Sequence, residues 1–194
     1  MRKLLVVVGF VLSTASAASA QIRWDSPFLT PPRPTAGYGL FLVDVAGGGL
    51  GAMFTWIPTT TSWGLRLGIA DAPRDQVGVF AGGDVSGAIT RSNTEFPLDM
   101  DWVFGVGASV ADFVVLSVPV GLTLGHTFTG QGVTFTPYLT PRLVLDAQFD
   151  TEDDNLNLDF TFDLGFDLRV RNDWTVRFGA TLADREALAI GIVF

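Results

Sequence analysis

From Gly37 onward, apolar and polar residues alternate with period two in run after run, separated by short segments marked by Gly, Pro, Asn and Asp. Strand side chains point to alternate faces, so the pattern predicts consecutive strands with one apolar and one polar face. In Leu156 to Val170, the residues Leu156, Leu158, Phe160, Phe162, Leu164, Phe166, Leu168 and Val170 share one face. Asn157, Asp159, Thr161, Asp163, Gly165, Asp167 and Arg169 share the other. Trp174 to Ala183 repeats the division, and Val133 to Phe149 sets Phe135, Leu139, Leu143 and Leu145 against Thr136, Tyr138, Thr140, Arg142, Asp146 and Gln148. About ten strands are expected. They run roughly Gly37 to Ala46, Leu50 to Ile57, Ser62 to Ala70, Gln76 to Ile89, Leu98 to Val110, Phe113 to Phe128, Val133 to Phe149, Leu156 to Val170, Trp174 to Ala183 and Glu186 to Phe194.

The intervening turns are too short for crossovers, so neighbours pair antiparallel in up-and-down order. So long a sheet removes its edges by closing, which predicts an all-β barrel; eight strands with longer loops is the alternative count. Pro137 and Pro141 lack the N–H that a strand paired on both sides uses, and local bulges are the expected accommodation.

At the start of the chain, Arg2 and Lys3 precede the apolar run Leu4 to Leu12, and Ala18-Ser19-Ala20 forms a small-residue cleavage site. This is the layout of a secretory signal. The expected organisation is a signal peptide over 1–20, a Pro-rich leader over 21–36 and a barrel over 37–194. The leader, Gln21 to Ala36, reads as an extended segment outside the sheet, because proline cannot donate to a ladder.

Composition sharpens this reading. Hydrophobic residues make up 48% and charged residues 16% of the 194, with a mean hydropathy of +0.39. That is apolar for a secreted soluble domain, since soluble chains average about 25% charged residues. The chain has no Cys, which excludes disulfides and thiolate metal sites. The formal charge of -8 becomes more negative by two if Arg2 and Lys3 are removed, which argues against nucleic acid as a partner.

Alternation alone does not separate a membrane barrel from a soluble lipocalin-like barrel binding an apolar ligand, because the second is the first turned inside out. Three features favour the membrane form. The polar face is rich in glycine (Gly64, Gly68, Gly78, Gly82, Gly105, Gly107, Gly121, Gly125, Gly165, Gly179), which suits a crowded interior. Its charges are Asp and Arg, which pair well in confinement: Asp44, Arg66, Asp84, Asp99, Asp101, Arg142, Asp146, Asp159, Asp163, Asp167, Arg169 and Arg177. Strand counting also places Trp56, Trp63, Phe96, Phe128, Trp174 and Phe194 at one end, where an interfacial girdle would sit.

The last strand, ALAIGIVF, puts Leu188, Ile190, Ile192 and Phe194 on one face and small residues on the other. It resembles the closing strand of small bacterial outer-membrane β-barrel proteins, although Ala189 stands where that signal usually has Gly and Ala187 where it has a polar residue. The resemblance implies a Gram-negative outer-membrane location, contact with lipid and lipopolysaccharide, and recognition of the strand ending at Phe194 by the assembly machinery. It also implies a periplasmic leader, with both chain ends on the periplasmic side.

Catalytic chemistry has few candidates. His126 is the only histidine, and its parity places it with Leu122 and Leu124 on the apolar face without an evident partner. It reads as an interface-level polar residue, which leaves a lipid hydrolase or protease without its base. Asp99, Asp101, Asp159, Asp163 and Asp167 form a possible acid pair or cation site. The stronger reading is a lumen network neutralised by Arg66, Arg142, Arg169 and Arg177, with the excess of acid leaving room for protonated carboxyls or cations. The acidic turn from Asp150 to Asn155 lacks the glycine and closing glutamate of a calcium loop. No catalytic, cofactor or metal residue is expected. The sequence points to a non-enzymatic barrel with a structural, adhesive or narrow porin-like role.

Overall fold

The computed structural model describes residues 22–58, 62–73, 76–149, 155–170 and 174–194. The strands are β1 (Gly37–Asp44), β2 (Leu50–Ile57), β3 (Trp63–Ala72), β4 (Gln76–Thr90), β5 (Asp99–Val110), β6 (Val114–Gly125), β7 (Phe128–Gly130), β8 (Val133–Phe149), β9 (Asn155–Val170), β10 (Trp174–Ala183) and β11 (Ala187–Val193). Apart from β6 and β7, sequence neighbours pair antiparallel, β1 pairs with β11, and β6 pairs with β8, so the sheet closes. β7 continues β6: Phe128 opposite Phe135 keeps the register of Gly125 opposite Tyr138. The architecture is therefore a closed ten-strand up-and-down barrel with one short extra strand at the tip of β6.

Pro137 and Pro141 sit in β8 without a bulge. The β8–β9 register is unbroken through both, and the β6–β8 pairing instead lapses between Gly121 opposite Arg142 and Leu124 opposite Leu139. A strand residue directs its N–H to one neighbour only, so each proline removes a bond on one side and leaves the other intact. In the gap, the Thr123 and Thr140 hydroxyls hydrogen-bond each other at 2.8 Å. The one register shift in the wall lies in β4, between Ala88 and Thr90.

The large apolar side chains face outward. Leu42 is 69% exposed, Ile190 54% and Leu158 63%, whereas Arg142, Arg177 and Asp146 are within 1% of full burial. Asp44 departs from the expected interior set, since it shares the parity of Leu40 and Leu42 and is exposed at the end of β1. Inward aromatics lie over glycines on the neighbouring strand: Phe80 opposite Gly68, Tyr138 opposite Gly165, and Phe41 opposite Gly191. A β-carbon on any of these glycines would collide with the facing ring, so here glycine provides space for an aromatic across the ladder.

The Pro-rich stretch forms no strand. Instead of trailing from the barrel, it threads the interior, and Ile22, Trp24, Asp25, Phe28, Leu29 and Thr30 are all buried. It enters beside the β1–β2 turn, where the Arg23 amide donates to the Ala46 carbonyl at 3.2 Å. It leaves at the opposite mouth, where Gly37 begins β1. Ile22 therefore lies at the far end of the barrel and Phe194 at the terminal end, and the two described chain ends are not on one side as expected. Prolines at 27, 31, 32 and 34 suit this course. A segment buried away from any ladder leaves fewer amides to satisfy when several positions carry none.

Candidate functional site

The interior is divided between two chemistries. Ile22, Trp24, Phe28 and Leu29 of the threaded segment 22–36, the strap, join Phe41, Val43, Met53, Phe80, Val103, Ala189 and Val193 in one apolar cluster, mainly against β1–β5 and β11. Glycines make room for it. A β-carbon on Gly78 would meet Ile22, one on Gly82 or Gly107 would meet the Trp24 indole, and one on Gly179 would meet Leu29. The Trp24 indole N–H donates to the Ser117 carbonyl at 3.2 Å, and the ring packs edge-on to Phe28 at 6.2 Å. Phe28 in turn lies beneath the Arg66 guanidinium, 4.3 Å from the ring centre, a cation over an aromatic face.

The second chemistry is an ion network, mostly on β8–β10. Asp25 of the strap bridges Arg142 and Arg185, and Arg142 also binds Asp163. Arg185 reaches Asp146 and Asp159 as well, and Arg23 of the strap lies 3.4 Å from Asp146. Lower in the barrel Arg177 holds both oxygens of Asp167 at 2.7 Å, and Arg66 binds Asp84 at 2.8 Å. At the terminal mouth Arg33 of the strap pairs with Asp99, and Arg91 with Asp101. A charge in a dry interior is tolerated only when paired and hydrogen-bonded, and each of these aspartates has an arginine.

The expected neutralisation holds for Arg142 with Asp163 and Arg177 with Asp167, whereas Arg66 takes Asp84 and Arg169 bonds threonine hydroxyls instead of a carboxylate among the described residues. Asp159 is neutralised by Arg185, Asp99 by Arg33 and Asp101 by Arg91, not by the strand arginines. Arg23, Arg33, Arg91 and Arg185 lie in the strap and the turns, and they remove the apparent excess of acid over arginine within the barrel. The available signal was the strap's own sequence, in which Arg23, Asp25 and Arg33 alternate with Trp24 and Phe28. The acidic segment 150–154 and the signal 1–20 lie outside the described residues.

Backbone atoms of the strap are satisfied by the wall. Ser109 donates to the Ile22 carbonyl at 2.5 Å, Arg142 to that of Asp25 at 2.9 Å, and Thr123 to that of Thr30 at 3.1 Å. The Phe28 amide donates to Asp163 at 3.2 Å. Below the strap's exit, a cavity of about 370 Å³ opens at the terminal mouth.

The outer surface carries an aromatic belt at that same end. Tyr38 contacts Phe54 at 6.0 Å and Phe194 at 6.4 Å, Trp56 contacts Trp63 at 5.5 Å, and the chain Phe128, Phe135, Phe166, Phe178 runs at 5.5 to 6.5 Å per step. Trp174 and Phe96 are exposed. The facing pair Phe160 and Phe162 sits toward the other end. His126 belongs to the belt: its Nδ1 is 2.5 Å from the Pro97 carbonyl, and its ring meets Phe128 at 4.6 Å. Among the described residues no acid or nucleophile hydrogen-bonds its ring, and no group of three or more His, Asp or Glu is placed to hold a metal ion.

No family model matches this chain, and neither the curated proteins nor the solved structures contain a match.

Proposed function

We propose that the chain is an integral β-barrel of a bacterial outer membrane, exported by its N-terminal signal, without catalytic machinery, and serving a structural or surface-presenting role. One observation carries this reading: a closed barrel turns its large apolar side chains outward and keeps its arginines and aspartates inside. In water that arrangement leaves a broad apolar surface uncovered, whereas lipid tails match it. The aromatic belt supports the same reading, since Trp, Tyr and Phe favour the boundary between headgroups and hydrocarbon. The terminal end then faces the periplasm, the wall contacts lipid and lipopolysaccharide, and the β11 edge ending at Phe194 is the segment presented to the assembly machinery.

The lumen favours a closed barrel over a pore. A wall of this size encloses little more than side chains, and here the strap occupies the middle. We therefore expect no steady conductance from the full chain in planar bilayers. The alternative, a lipocalin-like carrier, calls for an apolar interior open to a ligand; this interior is filled by its own strap and lined by paired charges.

Fractionation of expressing cells, with unheated and boiled samples on one SDS gel, tests the reading. Recovery with the outer membrane and a heat-dependent mobility shift is the expected result. Recovery in the soluble fraction overturns it.

A further inference from the structure

In the cavity at the terminal mouth, Arg169 is the one described lumen arginine without a carboxylate among the described residues. Its neighbours in the ladder are Thr134 on β8 and Thr175 on β10, so guanidinium and hydroxyls form a row across three strands. Arg169 Nε donates to the Thr175 hydroxyl at 3.2 Å, and Nη2 donates to the Thr35 hydroxyl of the strap. Its Nη1 has no hydrogen bond among the described residues, and Arg169 lines the cavity. Asp167 also lines the space, but both of its oxygens are taken by Arg177, so it leaves Arg169 uncompensated. Across the cavity is Arg33, whose side chain is 54% exposed and spends one nitrogen on Asp99. Solvent reaches the site from the mouth.

We propose that this cavity binds a small oxyanion carried on a hydroxylated body, such as a sugar phosphate or a sugar acid. A guanidinium with free N–H groups in a partly enclosed site pairs strongly with phosphate or carboxylate oxygens. Threonine hydroxyls both donate and accept, which matches a polyol and not an apolar ligand. A volume of about 370 Å³ lies at the lower end of small-molecule sites, about 300 to 1,000 Å³, and is far too roomy for a bare phosphate ion. The site is internal to the barrel, so the inference does not rest on the membrane reading.

The test is calorimetric titration of the full refolded chain with glucose 6-phosphate, gluconate, glucose and inorganic phosphate. Saturable binding of glucose 6-phosphate or gluconate is expected, with the stronger of the two identifying the anion, and with glucose and inorganic phosphate each weaker by about tenfold or more. Arg169→Gln should weaken the tighter ligand by about tenfold, the scale of one charge-assisted hydrogen bond. Thr134→Val, which leaves every ion pair in place, should weaken it severalfold and serves if the Arg169 variant fails to fold. Absence of saturable binding by both anions up to about 10 mM overturns the proposal. So does unchanged affinity in the folded variants, and inorganic phosphate binding as tightly as glucose 6-phosphate removes the hydroxylated body.

Discussion

A β-carbon on Gly82 of β4 would collide with the Trp24 ring, so the wall is notched where the strap's largest side chain rests. Gly82→Val should force the indole aside and lower stability by about 1 to 3 kcal/mol, the range for an overpacked core. Trp24→Ala should cost about 3 to 5 kcal/mol through the cavity it leaves. Urea unfolding followed by tryptophan fluorescence and by gel shift reads both. The double variant should be less destabilised than the sum, because valine fills part of the vacated space.

Arg142 stands between Asp25 of the strap and Asp163 of β9. Arg142→Met removes the one arginine paired with Asp163 and leaves that buried carboxylate without a cation, while Asp25 keeps Arg185; this should cost about 3 to 5 kcal/mol. Adding Asp163→Asn should recover much of that loss, since the uncompensated charge, not the missing contact, dominates the cost. The same unfolding assay compares the three proteins, and a double variant no more stable than the single one would contradict this account.

On the outer face, Ile190 lies mid-strand in β11, opposite Leu42 and Phe178. In a membrane barrel Ile190→Arg should cost about 2 to 4 kcal/mol when folding is measured into lipid vesicles. Asp44→Arg, at a strand end, should cost about 1 kcal/mol or less. Equal tolerance of both substitutions would count against lipid contact at Ile190.

The course of the strap makes a topological prediction. If the barrel spans the outer membrane as proposed, then because Ile22 sits at the far end and Phe194 at the terminal end, an epitope placed between Ala20 and Gln21 should bind antibody on intact cells, while a C-terminal epitope should bind only after permeabilisation. Labelling of both ends from the periplasmic side alone would mean that the strap does not thread the lumen.

Much of the wall was legible along the chain. The expected strands Leu50 to Ile57, Val133 to Phe149 and Trp174 to Ala183 match β2, β8 and β10 residue for residue, and the others differ by one to three residues at their ends, apart from the tip of β6 that forms β7. Period-two alternation is a property of each strand by itself, and short turns leave antiparallel neighbours as the only partners. Pro137 and Pro141 misled the local reading, because a missing donor was expected to bend the strand and instead removes a bond on the β6 side only.

The candidate site was less legible, for a different reason. Arg142 and Arg177 could be placed inside by parity, but Asp25 lies 117 residues from Arg142 in sequence and Arg185 lies 160 from Asp25. No local pattern brings those groups together.

The sequence alone determined pairing order and which side chains share a face, since these follow from the pleat and from loop length, and closure of the sheet settled ten wall strands over eight. Tertiary structure decided that the Pro-rich stretch runs through the lumen, that its arginines and aspartate complete the ion network, and that Arg169 has no carboxylate partner among the described residues. An extended segment without ladder bonds reads the same whether water or a barrel surrounds it. Only closure of the ten strands creates the interior that the strap's tryptophan and charges can fill.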